Sequence, residues 1–199
     1  MKNVDLMQNL NQIEGLRLIK DQPLCEYTSF EVGGPARLFL IPKNPAAAQK
    51  SFQLINKNNL ACLILGAGSN LVVADQGFDG AVLYTGELTN VKIDNTTLKA
   101  QVGVALSDLA EETINASLTG FEFASGIPGS LGGALYMNAG AYGGEMKDVV
   151  SEITVITPQG DKKVLTSSEI NLGYRQSILQ EKDYLALEAT IELTQGKKA

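Results

Sequence analysis

Histidine and tryptophan are absent from this 199-residue sequence, and cysteine occurs only twice. A chain without histidine cannot assemble Ser-His-Asp or Cys-His catalysis, nor a His-ligated metal centre. Cys25 and Cys62 stand far apart and in no metal-ligand spacing. Neither a disulfide framework nor a metal site is therefore expected, and the cysteine usage suits a reducing cytosol. Positive charge is also short, with 16 Lys and Arg against 22 Asp and Glu and a formal net charge of -6. Nucleic acid and anionic membranes attract basic surfaces, so neither is an expected partner, and an anionic ligand has to be held by local features. The opening Met1-Lys2-Asn3-Val4-Asp5-Leu6 lacks the apolar run and small-residue cleavage site of a secretory signal, which points to a cytoplasmic protein. Reactive chemistry here needs a group other than histidine, and hydride chemistry commonly takes a bound cofactor.

Hydrophobic residues make up 44% of the chain, enough to bury the core of one domain or two small ones. Leu6, Leu10, Ile13, Leu16 and Leu18 are spaced for a short leading helix that Pro23 ends. A turn-rich stretch, Thr28 to Pro35, leads into a strand from Ala36 to Ile41 that Pro42 closes. Asn44-Pro45 reads as an N-cap with proline at the first helical position, opening a helix to about Asn58. A strand from Cys62 to Leu65, the loop Gly66-Ala67-Gly68-Ser69-Asn70 and a second β-rich run, Leu71 to Ala74, follow. Further β-patterned stretches fall at Gly80 to Leu83, Val91 to Ile93 and Leu98 to Val102, before a helix from about Ser107 to Ala116 with Asp108 near its positive end. Strands are expected again near Ile153 to Ile156, Lys163 to Leu165 and Leu185 to Leu193. The pattern is α+β, without the regular alternation of a doubly wound parallel sheet.

Two glycine-rich stretches stand out. Gly66-Ala67-Gly68 follows a strand, but a dinucleotide fingerprint needs a third glycine where this sequence has Leu71, and there is no P-loop lysine, so Rossmann and Walker readings both fail. An anion-binding nest of backbone N–H groups, helped by Ser69 and Asn70, remains open beside an ordinary turn. From Phe123 to Gly144 no residue is charged, and seven glycines, Pro128 and Asn138 lie in that span. Such a stretch makes a poor lipid-facing helix and suits a buried loop system that approaches a ligand closely, although tight packing between subdomains also fits. Two glycine loops with neutral donors suit FAD, whose pyrophosphate can be met by N–H groups and whose ring needs apolar walls. Gly173-Tyr174-Arg175-Gln176-Ser177 adds one cation-aromatic cluster. Alone, Arg175 reads more readily as a surface arginine than as a phosphate or enolate clamp. The adjacent pair Glu111-Glu112 points to different sides of a helix and is read as solvated surface.

Tyr27-Thr28-Ser29-Phe30 with Gly33-Gly34-Pro35-Ala36, then Leu65 to Leu71, then Gly126-Ile127-Pro128-Gly129-Ser130 through Gly144, then Tyr174-Arg175-Gln176-Ser177 stand in series. In order and spacing the chain resembles the UDP-N-acetylenolpyruvoylglucosamine reductase family along most of its length. The resemblance implies an α+β, two-subdomain FAD-binding fold of the vanillyl-alcohol-oxidase/PCMH type, not a Rossmann fold. It divides the chain into a leading helical segment over 1–22 and FAD-binding subdomains over 23–103 and 104–199. FAD is the implied cofactor and NADPH the reductant. The implied substrate is a UDP-sugar enolpyruvyl ether, reduced to UDP-N-acetylmuramate for peptidoglycan synthesis. By matching positions, Gly66, Ala67, Gly68, Ser69 and Asn70 with Pro128, Gly129 and Ser130 would hold the FAD pyrophosphate. Gly133, Gly140, Ala141 and Tyr142 would line the cofactor, and Arg175, the implied catalytic residue, would polarise the substrate carboxylate with Tyr174 beside it. Family members continue into a C-terminal substrate domain carrying a serine proton donor and a late glutamate, with no match here. FAD binding with weak or absent turnover is the resulting expectation, with the C-terminal domain, whether deleted, proteolysed or separately encoded, as a further partner. A different flavin-dependent dehydrogenase or oxidase of this fold, and a non-catalytic FAD-binding module, are the alternatives.

Overall fold

A computed structural model describes residues 2–196. Helix α1 (Lys2–Asn11) is followed by strand β1 (Leu16–Pro23), strand β2 (Pro35–Pro42), helix α2 (Pro45–Lys57), strand β3 (Cys62–Leu65) and strand β4 (Phe78–Tyr84). The four strands form one mixed sheet in the order β1-β2-β4-β3, with β1 antiparallel to β2 and with β2 and β3 both parallel to β4. Helix α2 is the crossover that makes β2 and β3 parallel. Its start is built as expected: Asn44 Oδ1 accepts from the Ala47 N–H at 2.8 Å, and Pro45 opens the first turn. That carbonyl oxygen satisfies one of the donors every helix start leaves orphaned.

Strand β2 shows why this sheet carries a core on both sides. Leu38 and Leu40 pack into the large core shared with α1, α2 and the second sheet. Phe39 and Ile41 point the other way, into a smaller core with Leu24, Leu65 and Val82. Alternate residues of a strand face opposite sides, so the unbroken run Leu38 to Ile41 is what a strand buried on both faces requires.

The second half of the chain adds β5 (Val91–Asp94), β6 (Thr97–Gln101), helix α3 (Leu106–Asn115), β7 (Leu118–Thr119), helix α4 (Leu131–Met137), the short pair β8 (Gly140–Ala141) and β9 (Gly144–Glu145), and β10 (Val150–Ile156). It ends with β11 (Lys162–Thr166), α5 (Ser167–Ile170), α6 (Ile178–Lys182), β12 (Leu185–Glu192) and β13 (Thr194–Gln195). Five of these strands form an antiparallel sheet in the order β11-β10-β12-β6-β5.

Four expectations need correction. The leading helical segment does not extend over residues 1–22: α1 stops at Asn11, Gly15 takes a left-handed φ of +79°, and Leu16–Pro23 pairs with β2. The leucine spacing is compatible with either state, and the ladder offered by β2 decides it. Leu71 to Ala74 is not a strand but extended loop: its β-branched residues find no partner strand, and the Ala74 carbonyl accepts from Gly34 and Gly77 instead. The boundary expected after residue 103 would cut the second sheet, because β5 and β6 pair with each other and β6 with β12; the two sheets part between Tyr84 and Val91. The uncharged stretch from Phe123 to Gly144 is not a buried loop system throughout. It contains α4 and the β8–β9 turn, and Gly126, Pro128, Gly133 and Tyr142 are exposed.

Candidate functional site

The first glycine loop leaves the C-terminal end of β3, a parallel strand, which is where ligands collect in open α/β arrangements. Its backbone is anchored at both sides. Thr85 donates from both its backbone N–H and its Oγ1 to the Leu65 carbonyl, at 2.8 and 3.1 Å, and the Ser29 N–H donates to the Gly68 carbonyl at 3.2 Å. Gly68 sits at φ +66°, and a Cβ there would come within 2.0 Å of the Tyr27 carbonyl oxygen. Both the left-handed backbone and the close approach restrict this position to glycine.

The second loop is brought to the first by the exit of β6. The Leu106 N–H donates to Gly129 O at 3.0 Å, and Leu131 and Gly132 donate to Val104 and Val102 at 2.9 and 2.8 Å. Pro128, Gly129 and Ser130 are thereby carried to the end of β3, where Ser69 Oγ donates to the Pro128 carbonyl at 3.0 Å. Between the loops stands Ser130, 3% exposed, whose Oγ has no hydrogen-bond partner among the described residues. A Cβ on Gly66 would lie 2.2 Å from that oxygen. The absence of a side chain at Gly66 thus leaves open the space in front of a buried hydroxyl that lacks an acceptor.

Beside this pair of loops lies an open cleft of about 400 Å³ lined by Gly66 and Ala67 together with Glu26, Tyr27, Thr28, Ser29 and Tyr84. Tyr27 and Tyr84 meet edge to face at 5.0 Å between ring centres, over Phe39. Burial, with help from the neighbouring Tyr27 and Glu87, raises the pKa of the Tyr84 hydroxyl. Ser69 is half-buried and Asn70 exposed at the rim.

A second cleft, of about 300 Å³, opens at the far end of α4. It gathers Gly140, Ala141, Tyr142 and Glu145 with Asn138, Tyr174 and Arg175. Tyr142 and Tyr174 are 93% and 91% exposed, so both rings face solvent rather than the core. The Arg175 guanidinium stands 5.8 Å from the centre of the Tyr174 ring and forms no ion pair among the described residues. The structure therefore brings the expected residues together in two groups. Gly66 to Asn70 join Pro128 to Ser130, with Gly133 nearby on α4, whereas Gly140 to Tyr142 join Tyr174 and Arg175. The seven residues of α4 separate the groups, a span of about 10 Å at a helical rise of about 1.5 Å per residue.

Residues 36–166 match the FAD binding domain family. The chain belongs to that family. FAD is its cofactor, and the joined loops fit it: they are uncharged, the backbone approaches closely, and the buried Ser130 hydroxyl is without a partner among the described residues. Among proteins to which this FAD binding domain is similar, the UDP-N-acetylenolpyruvoylglucosamine reductase of Lachnoclostridium phytofermentans is 42% identical over the whole chain, which covers 66% of it. That of Listeria monocytogenes is 44% identical over 89% of the chain and 60% of the relative. The chain thus spans about two thirds or less of these relatives' length. In three dimensions it superposes on the UDP-N-acetylenolpyruvylglucosamine reductase of Thermus caldophilus with a TM-score of 0.77, at 29% identity, over 92% of this chain and 64% of that one. An alkyldihydroxyacetonephosphate synthase shares the fold with a TM-score of 0.71 at 17% identity. The α+β FAD-binding fold of the vanillyl-alcohol-oxidase/PCMH type, rather than a Rossmann fold, is the one this FAD binding domain has.

Four contributors to the clefts, Tyr27, Ser29, Tyr84 and Asn138, escaped the sequence reading as site residues. Tyr27 and Ser29 carried a readable signal, since they stand in the first of the four motifs in series. Tyr84 carried none, because only the pairing of β4 with β3 puts it beside Gly66. Asn138 was noted only as one of the residues unsuited to a lipid-facing helix.

Proposed function

We propose that this chain is the FAD-holding part of an NADPH-dependent reductase acting in the cytoplasm on UDP-N-acetylglucosamine enolpyruvate to form UDP-N-acetylmuramate for peptidoglycan. The observation that carries the reading is the joined pair of glycine loops around the unpartnered Ser130 hydroxyl. Relatives that share 42 to 44% of its residues and bear the name of that reductase support it. The chemistry that FAD supplies when bound is two-electron transfer from NADPH to the enolpyruvyl double bond.

The chain's own residues divide the remaining work. Gly66 to Asn70 and Pro128 to Ser130 bind the pyrophosphate through backbone N–H groups and the Ser130 hydroxyl, while the Ser69 hydroxyl holds the two loops together. A permanently charged, planar guanidinium unpaired by any carboxylate among the described residues suits Arg175 to a substrate carboxylate, which it would hold by a two-pronged hydrogen bond and whose developing negative charge it would stabilise. Tyr174 supports the guanidinium through its ring face, and Tyr142 forms part of the opposite wall. The UDP-sugar and a substrate domain like that of the longer relatives are the partners this assigns.

Purified protein with a flavin absorption spectrum, bleached by NADPH without oxygen, is the expected result. Colourless protein that takes up no added FAD overturns the reading. Flavin that binds but ignores NADPH, and is reduced instead by another substrate, places the chain with a different dehydrogenase or oxidase.

A further inference from the structure

Arg175 occupies an unusual backbone conformation. Its φ is +55°, in a tight turn closed by hydrogen bonds between Gly173 and Gln176 at 3.0 and 3.2 Å. A residue with a Cβ is disfavoured in the left-handed region, so the surroundings have to hold it. They do so from the C-terminal end of α4. Asn138, itself left-handed at φ +43° and 3% exposed, caps that helix and uses its whole side-chain amide. Its Nδ2 donates to the Gly173 carbonyl at 3.0 Å and to Glu145 Oε2 at 2.7 Å, while its Oδ1 accepts from the Lys147 N–H at 2.9 Å. A second tie comes from α6: Gln180 Nε2 donates to the Arg175 carbonyl at 3.0 Å and to Tyr136 O at 2.7 Å, and buried Ser177 donates to Tyr136 O at 2.9 Å.

We propose that Asn138 is the positioning residue for Arg175: one buried amide ties the turn that presents the guanidinium, through Gly173, and the wall of the same cleft, through Glu145 and Lys147, to the end of α4. Ser130, whose hydroxyl finds no partner among the described residues, stands at the N-terminal boundary of that same helix. The helix therefore sets the separation between cofactor cradle and cation, and Asn138 transmits it. The functional part of this inference rests on the reading of Arg175 given above.

The variant that tests it is Asn138→Gly. Glycine accepts the left-handed helix end, so the cap conformation survives and only the three side-chain hydrogen bonds go. In the FAD-loaded chain, hydrogen exchange at the Gly173 and Gln176 amides should accelerate about tenfold, the scale of one lost hydrogen bond, with exchange in the β10–β12 ladder unchanged. In a protein that also carries the substrate domain of the longer relatives, binding of UDP-N-acetylglucosamine enolpyruvate, followed by the flavin spectrum, should weaken about tenfold in Asn138→Gly. In the double variant with Arg175→Ala it should be no weaker than in Arg175→Ala alone, since a residue acting through another adds nothing once that other is gone.

Unchanged exchange at Gly173 and Gln176 overturns the clamp whatever Arg175 does. Losses that multiply in the double variant make Asn138 merely structural and overturn its positioning role. Accelerated exchange with no substrate binding in the unaltered protein carrying the substrate domain, or binding there indifferent to Arg175→Ala, overturns the reading of Arg175 and the positioning role with it.

Discussion

Ser69 and Pro128 lie 59 residues apart in the chain, yet the Ser69 hydroxyl donates to the Pro128 carbonyl at 3.0 Å. This bond closes the glycine loop after β3 onto the loop before α4. Removing one such hydrogen bond costs about 1 kcal/mol. Ser69→Ala should therefore weaken FAD binding about fivefold, beyond any small loss of fold stability. Titration of the stripped protein with FAD, followed by flavin fluorescence, measures it. Affinity equal to that of the unaltered protein would mean that the backbone bonds to β6 hold the loops without Ser69.

Gly66→Ala probes the space before Ser130. The new methyl would stand 2.2 Å from Ser130 Oγ, inside any real contact distance. Overpacking of this kind costs about 1–3 kcal/mol. FAD binding should be lost, with a melting temperature lowered by several degrees. Adding Ser130→Ala removes the offending oxygen and leaves the Ser130 Cβ, at 3.4 Å, as the nearest atom. The double variant should regain most of the lost melting temperature while FAD binding stays weak, because the hydroxyl is also gone. A double variant no more stable than Gly66→Ala would show that the strain lies elsewhere.

Arg175→Lys keeps the charge in the second cleft but discards the planar fork. Because Arg175 is absent from the first cleft, FAD affinity should be unchanged. Reduction of the enolpyruvyl substrate should fall at least about a hundredfold, the scale of a lost preorganised donor to developing negative charge. The measurement belongs in a protein that also carries the substrate domain of the longer relatives. Normal turnover there would return Arg175 to the surface.

Cys62 makes a prediction about alkali. Burial, with the nearby Asp183 charge, pushes the Cys62 thiol from its ordinary 9.0 up to about 12. In the folded protein it stays neutral while in the unfolded chain it ionises, so between these values the unfolded state holds fewer protons. Stability from this group is complete below about pH 9 and declines as pH rises toward about 12. Cys62→Ala should lose the decline that the thiol contributes. Urea midpoints below and above pH 9 should therefore draw together for the two proteins as pH rises, and parallel profiles would contradict the effect. At neutral pH the thiol should react slowly with iodoacetamide until the protein unfolds.

Much of the fold is local and was readable. The Asn44-Pro45 start of α2, the unbroken apolar run of β2 and the helix near Asp108 each declare themselves by residues within one or two turns, because caps and periodicity act over that range. The four motifs in series pointed to the FAD cofactor, which the family match bears out.

What the sequence determined by itself is the inventory: no histidine, neutral glycine loops with hydroxyl donors, one arginine beside a tyrosine, and a chain able to fold around FAD. Tertiary structure decided where these meet. Leu16 to Pro23 became a strand because β2 offered it a ladder, and Leu71 to Ala74 did not because none was offered. Gly140 to Tyr142 joined Arg175 rather than Gly66 because α4 stands between the two clefts. Tyr84 and Asn138 gained their places from a strand pairing and a helix end. Hydrogen bonds between segments distant in the chain choose among conformations that local preferences leave nearly equal in energy, and a single sequence carries no local mark of which partner will arrive.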